Sequence, residues 1–390
     1  MSTKINRRNW LKSSLMAASS LTLAPNLAWS SSTKKAYGSV IWEIEHPSYY
    51  RDSAPALKAK LNANENPYGP SESVKRAINE AISVGNRYGH SDAAVLIDMI
   101  AEKEGVTPDH IMLGPGSTDL LEKTAISRFM KGGNIVSADP SYMSLINTAQ
   151  AIGADWKAVP LTEDYAHDLP AMETAVDSKT QLVYICNPNN PTGSLTEPNA
   201  LRDFCSKVSE KAPVFVDEAY LEFLDDPEAN SMVDLVAKGK DVIVARTFSK
   251  IHSMAGLRIG YVVATPERIK SITDMVRSTM GLCVTSIKGA LASMADGDFC
   301  AECKTLNTAA RNYVCTELDQ MGYKYIPSYT NFVIFPLHKD TLEEDFMKSM
   351  TDNGVGVRLY SFNDEPWCRV SIGTMPEMEL FTNVFKRVTA

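Results

Sequence analysis

The sequence predicts an α/β protein: a largely parallel sheet covered by helices on both faces, followed by a smaller α+β unit. Three observations carry this. Six short runs, Ile111–Leu113, Ile135–Ala138, Leu182–Cys186, Val214–Val216, Val242–Ala245 and Tyr261–Ala264, are rich in β-branched residues and bounded by Gly, Pro, Asp or Asn. That is the pattern of strands buried on both faces. Between them lie stretches with helical spacing of apolar residues, such as Ser117–Met130 and Pro198–Glu210, and strands alternating with helices imply a parallel sheet with crossover connections. Later in the chain the order changes. One long helical pattern runs from Glu267 to about Asp296, then come a helix around Ala301–Met321, strands near Asn331–Phe335 and Cys368–Ile372, and a final helix from Pro376.

The expected organisation is a leader over 1–30, an arm over 31–70 that packs on the second unit, a large domain over 71–280 and a small domain over 281–390. The leader is an address. Asn6-Arg-Arg-Asn-Trp-Leu-Lys12 precedes a modestly apolar stretch diluted by serines and closed by Ala28-Trp29-Ser30. A charged start, a short apolar region and a small-x-small site make an export signal and not a membrane span. The paired arginines resemble the twin-arginine signal, so the mature protein is expected to be soluble, exported by the twin-arginine translocase and, in a bacterium, periplasmic. No later segment is long and apolar enough to span a membrane. With 39 basic and 47 acidic residues the chain carries a formal charge of −8, and residues 1–30 hold four basic residues and no acid. The body is therefore more acidic still, which gives it no general reason to bind nucleic acid or anionic lipid. Seven cysteines are scattered, and Cys300-Ala-Glu-Cys303 is a CxxC without a second pair or clustered histidines. No metal site is expected; a bridge between 300 and 303 after export stays open.

The unusual residues fall where the predicted strands end, which is where open α/β sheets bind ligands. Leu182–Cys186 runs into Asn187-Pro-Asn-Asn-Pro-Thr-Gly193, Val214–Val216 into Asp217-Glu-Ala-Tyr220, and Val242–Ala245 into Arg246-Thr-Phe-Ser-Lys250, with Gly256-Leu-Arg258 close behind. Ile111–Leu113 runs into Gly114-Pro-Gly-Ser-Thr118, which opens a helix. Gly116, Ser117 and Thr118 at a helix N-terminus suit a phosphate, and Thr247, Ser249 and Arg258 add hydroxyls and a fork of donors for the same dianion. Asp217 is suited to a protonated ring nitrogen, Asn190 and Tyr220 to a phenolate oxygen, and Tyr142 to stacking on an aromatic ring. Lys250, among these groups, can form a Schiff base. A phosphate, a ring nitrogen, a phenolate and a lysine-reactive aldehyde together describe pyridoxal 5′-phosphate.

With these residues in view the sequence resembles the fold-type-I, class I/II aminotransferases, and most closely the histidinol-phosphate aminotransferase family. The resemblance rests on an ordered set: Leu61-Asn-Ala-Asn-Glu-Asn-Pro-Tyr-Gly69, Asn86-Arg-Tyr88, Asn187–Gly193, Val216-Asp-Glu-Ala-Tyr-Leu-Glu-Phe223, Arg246-Thr-Phe-Ser-Lys250, Ala255-Gly-Leu-Arg-Ile-Gly260 and Arg369-Val-Ser-Ile-Gly-Thr374. It spans about residues 38–390. It implies a seven-stranded, mostly parallel sheet in the large domain. It also implies amino transfer between an amino acid, or a histidinol-phosphate-like amine, and a 2-oxo acid, with Lys250 as Schiff-base lysine and proton carrier. Asp217 would keep the cofactor ring nitrogen protonated, while Asn190 and Tyr220 hold its oxygen. Tyr142 would stack on the ring, and Gly116, Ser117, Thr118, Thr247, Ser249 and Arg258 would hold the phosphate. Tyr88 would reach the phosphate of a neighbouring subunit, which implies a homodimer with composite sites. Arg369 would clamp the substrate carboxylate, Asn66 and Tyr68 would lie on the loop over the substrate, and Arg358 would meet its distal end. Arg358 is followed here by Leu359, where the family pattern has proline. The same Schiff base also serves oxidation, elimination or decarboxylation in other fold-type-I enzymes, so an exported enzyme of that kind is the alternative.

Overall fold

A computed structural model describes residues 57–362 and 365–389. The expected export signal, and the expected arm as far as residue 56, lie outside the described residues. The strands are, in chain order, β1 (Ala59–Lys60), β2 (Ile111–Gly114), β3 (Asn134–Asp139), β4 (Asp155–Pro160), β5 (Thr180–Cys186), β6 (Val214–Asp217), β7 (Val242–Thr247), β8 (Gly260–Val263), β9 (Phe332–Pro336), β10 (Val355–Gly356), β11 (Arg358–Phe362) and β12 (Glu365–Ser371). Seven of them form one sheet in the order β2-β8-β7-β6-β5-β3-β4, with β8 antiparallel to both neighbours and the other pairs parallel.

The six runs read from sequence all become strands of this sheet because both faces are covered. Val183, Ile185, Val214, Val216, Val242 and Val244 pack into one cluster with the helices Pro198–Val208 and Val284–Met294. Leu182, Tyr184, Phe215, Ile243 and Ala245 pack into the other with Ser117–Phe129 and Ser144–Ala151. Each such side chain removed from water stabilises the fold by roughly 1.5–3 kcal/mol before entropy is counted. The seventh strand, β4, escaped the sequence reading. It is one of the sheet's two edges and the exposed one: only Val159 is buried along it, and Lys157 reaches out to Asp177 at 2.7 Å. An edge strand exposed to water carries no continuous apolar run.

The single helix expected from Glu267 to Asp296 is a correction. The chain forms Pro266–Thr273, a short 3-10 turn at Thr279–Gly281, and a separate helix Val284–Met294. Gly281 is poor in a helix interior by about 1 kcal/mol, and Cys283 is extended, which lets the second helix turn to pack on Glu72–Ile82. That second helix adds Ile287 and Ala290 to the large sheet's cluster.

A second cluster draws on Ala310, Val314, Phe335, Phe381 and Phe385, beneath a three-stranded sheet ordered β11-β12-β9. Ala59 and Leu61 belong to it, because β1 pairs in parallel with β10 and the Ser371 N–H donates to Leu61 O at 2.8 Å. This seam carries the segment Asn62–Tyr68 across to the strand ends of the large sheet. Cys300 and Cys303, on the helix Gly297–Gln320, are free thiols.

Candidate active site

Strand alternation decides which residues enter the site. Along β6 and β7, Phe215, Ile243 and Ala245 face one cluster, so Asp217 and Thr247 continue that face at the carboxyl ends. Val214, Val216, Val242 and Val244 face the other, so Glu218 and Arg246 continue on the opposite side. The register sets Asp217 beside Cys186 on β5 and Ala245 on β7. The chain then turns from each strand end into Asn187–Gly193, Glu218–Tyr220 and Phe248–Lys250.

These turns meet in a connected set of side chains. Lys250 Nζ donates to Asn64 O at 3.2 Å and lies 5.5 Å from the centre of the Tyr220 ring. The Tyr220 hydroxyl accepts from Asn64 Nδ2 at 3.0 Å and Asn190 Nδ2 at 3.4 Å. Arg369 Nη1 donates to Asn190 Oδ1 at 2.7 Å, and Nη2 to Asn62 O at 3.1 Å. Asp217 is buried and accepts from the Ala219 N–H at 3.2 Å and the Tyr184 hydroxyl at 3.4 Å. Burial pushes its carboxyl up to about 6, against those two hydrogen bonds and the charge of Lys250. Burial pulls the Lys250 amine down to about 8, and the Arg369 charge pulls the same way while Asp217 opposes. Burial also raises the Tyr220 phenol and lowers Arg369. A lysine lowered this far has an accessible free amine, as nucleophiles and bases near neutral pH need.

A second cluster forms a cradle. Gly116 has φ +86° at the N-cap of Ser117–Phe129, and a Cβ there would lie 2.3 Å from Arg258 Nη2. Only glycine lets this turn and Arg258 approach so closely. Thr247 Oγ1 donates to Ser249 Oγ at 2.9 Å, Arg258 Nη1 donates to Ser249 Oγ at 3.4 Å, and the Thr118 and Tyr142 hydroxyls are 3.2 Å apart. Among the described residues Arg258 forms no ion pair, so its charge and the helix N-terminus are left for a ligand.

Of the remaining expected residues, Asn66 Nδ2 donates to Ile251 O at 3.0 Å, and Tyr68 packs in a cluster with Tyr220, Phe223 and Phe332. Arg358 is exposed and lies opposite Arg369 in the β11–β12 register. The structure does not bring Tyr88 to the others: it is 76 % exposed and stacks on His90. Sequence reasoning missed Asn64, which holds Lys250 and Tyr220 together and receives the Ser371 hydroxyl at 2.9 Å. Its φ of +53° was foreshadowed only by the run of asparagines at 62, 64 and 66, since asparagine tolerates that region. Tyr184 was missed as well, because it reads as one more apolar residue of a buried strand.

The donor set fits pyridoxal phosphate. A glycine cradle beside a guanidinium with no carboxylate partner among the described residues suits the phosphate, a buried acid suits the ring nitrogen, paired amide and phenol groups suit the ring oxygen, and a lowered lysine suits the aldehyde. The comparisons agree. The family described as "Aminotransferase class I and II" matches residues 57–385. A histidinol-phosphate aminotransferase of Moorella thermoacetica is 33 % identical over 333 residues, 85 % of each chain. A putative histidinol-phosphate aminotransferase from Erwinia carotovora atroseptica superposes with a TM-score of 0.80 at 30 % identity, over 86 % of this chain and 97 % of that one. The Sinorhizobium meliloti histidinol-phosphate aminotransferase, solved in complex with pyridoxal 5′-phosphate, superposes with a TM-score of 0.79 at 26 % identity, over 85 % and 91 %. The chain belongs to the class I and II aminotransferases and is a pyridoxal-phosphate-dependent, histidinol-phosphate aminotransferase-like enzyme of fold type I.

Proposed function

We propose that this aminotransferase moves the amino group of an L-amino acid to a 2-oxo acid, with Lys250 as the residue that anchors the cofactor and carries the proton. The single observation behind this is the lysine itself: an amine lowered to about 8, held by Asn64 O, and set among Asp217, Tyr220 and Arg369. When bound, pyridoxal phosphate supplies an aldehyde for the amine and a ring that draws electron density from the substrate's Cα. Lys250 Nζ takes and returns a proton at that carbon. Asp217 holds a proton on the ring nitrogen, and Asn190 and Tyr220 fix the ring oxygen. Tyr142 stacks on the ring. Gly116, Ser117, Thr118, Thr247, Ser249 and Arg258 hold the phosphate. Arg369 orients the substrate carboxylate through its paired donors, while Asn66, Tyr68 and Arg358 line the substrate side.

Two further parts of the proposal rest on sequence. Residues 1–30 export the folded enzyme through the twin-arginine route to the periplasm, where an amino acid is a more available donor than a cytoplasmic biosynthetic intermediate. Tyr88, exposed in one chain, reaches the phosphate site of a second copy in a homodimer.

The test begins with the visible spectrum of purified protein, followed by addition of L-amino acids and histidinol phosphate, one at a time, without oxygen. The expected result is bleaching by an amino acid, with pyridoxamine phosphate and the 2-oxo acid as products. Turnover only after air is admitted, with peroxide and ammonia formed, would assign oxidation instead; carbon dioxide release would assign decarboxylation.

A further inference from the structure

Tyr220 is buried, and packing fixes its ring: Phe332 stands edge-on to it, the ring centres 5.3 Å apart at 81°. A phenol oxygen has one proton to give and lone pairs with which to accept. Among the described residues both hydrogen bonds of this oxygen come from amides, Asn64 Nδ2 donating at 3.0 Å and Asn190 Nδ2 at 3.4 Å. Neither NH₂ group can take the phenol's proton. Burial raises the phenol, so it keeps that proton. Tyr220 is thus held as a donor whose proton is unspent.

The nearer amide is itself fixed by Ser371, on β12. The Ser371 hydroxyl accepts the Asn64 backbone N–H at 2.8 Å, and its single proton goes to Asn64 Oδ1 at 2.9 Å. With Oδ1 engaged, Nδ2 is the end that faces Tyr220. A reversed amide would take the phenol's proton on Oδ1 and deprive the Ser371 proton of this acceptor. Asn64 and Ser371 are both buried, where a polar group without a partner is costly.

We infer that Asn64, locked by Ser371, is a positioning residue for the cofactor: its amide holds the Tyr220 hydroxyl as a donor, so that the phenol's proton is kept for the ring oxygen. This rests on the reading of Tyr220 as a residue that holds that oxygen. The Asn64 carbonyl also receives Lys250 Nζ at 3.2 Å, so one residue sets both the amine and the phenol.

The experiment follows the visible absorption of the holoenzyme against pH, without substrate. A donor on the ring oxygen favours the form in which that oxygen carries its full charge, which is the form that has lost the proton shared with the lysine nitrogen. Loss of the donor therefore raises the pH midpoint at which this proton leaves. Asn64→Gly suits the position, because glycine keeps both the φ of +53° and the carbonyl that holds Lys250. Ser371→Ala frees the amide to turn. Tyr220→Phe should raise the midpoint by about one pH unit, the loss of one hydrogen bond to a charged group. Asn64→Gly and Ser371→Ala should each raise it by about half a unit or more. The double variant N64G/Y220F should match Tyr220→Phe alone, since the amide acts through the phenol. Arg369, Asp217, Glu65 and Arg258, the charged groups that bear on Lys250, stay in place in every variant. A midpoint that Tyr220→Phe moves but Asn64→Gly or Ser371→Ala does not, or shifts that add in the double variant, would overturn the role of Asn64. A midpoint unmoved by Tyr220→Phe would instead bring down the reading of Tyr220 at the ring oxygen.

Discussion

The two sides of the β6 and β7 ends carry similar charges and treat them in opposite ways. On the side away from the site, Arg246 is buried with Glu218 at 2.8 Å, Glu104 at 3.6 Å, Glu222 at 3.9 Å and the Ser231 hydroxyl at 3.0 Å. Glu218 also accepts from the Met232 N–H at 2.7 Å, and Glu104 from the Tyr261 hydroxyl at 2.6 Å. On the site side, Asp217 has one N–H and one distant hydroxyl, Lys250 has one carbonyl, and Arg369 keeps an unmet Nε. Buried charges that are fully partnered hold the strands in place; buried charges left short of partners are, on the function proposed above, the ones a cofactor and a substrate would complete. Residues adjacent in sequence, Asp217 with Glu218 and Arg246 with Thr247, divide between these tasks because a strand alternates its faces.

Four substitutions sharpen this comparison. Lys250→Ala should abolish turnover, by more than about 10⁴-fold, while the protein still folds and binds pyridoxal phosphate noncovalently; repeated turnover by this variant would end the assignment. Arg246→Met should strike the partnered side, costing about 3–5 kcal/mol of stability by leaving Glu218 buried and unpaired. Chemical denaturation checks it, and a loss below about 1 kcal/mol would mean that the cluster is not what holds these strand ends.

Asp217→Asn should do the reverse of Arg246→Met: turnover falls about 10²–10³-fold while the cofactor-free protein gains stability. In cofactor-free protein the native Asp217 keeps its proton up to about pH 6, whereas an unfolded aspartate releases it near 3.8. The native state binds more protons in that window, so this group's contribution to stability falls as pH rises from 3.8 to 6 and is flat above. The variant removes that slope and should be more stable at pH 8 by up to about 3 kcal/mol. A lower denaturation midpoint at pH 8 would contradict this. The smallest effect is expected from Tyr184→Phe, which removes a single hydrogen bond to Asp217 and should cost under about 1 kcal/mol in kcat/KM. A loss of a hundredfold would show that Tyr184 has a larger part in the site.

Much of this was legible beforehand for a physical reason. Strands buried on both faces must be apolar and β-branched, so β5, β6 and β7 announce themselves, and a polar run directly after such a strand has few places to go except the rim of the sheet. Asp217, Asn190, Thr247, Ser249 and Lys250 were legible on that ground. The edge strand β4 was not, because exposure removes the apolar signal, and the break between Thr273 and Val284 was not, because the helical period continues across it.

Sequence by itself determined the buried strands of the sheet and the cofactor and singled out the lysine, since each depends on residue types at fixed local spacing. Only the tertiary structure decided what surrounds them. The Asn64 carbonyl meets Lys250 across 186 positions, Arg369 meets Asn190 across 179, and the Tyr360 hydroxyl closes one nitrogen of that arginine. Contacts of that kind arise where the seam of β1 and β10 carries one loop onto the ends of a distant sheet, and no local pattern encodes the distance.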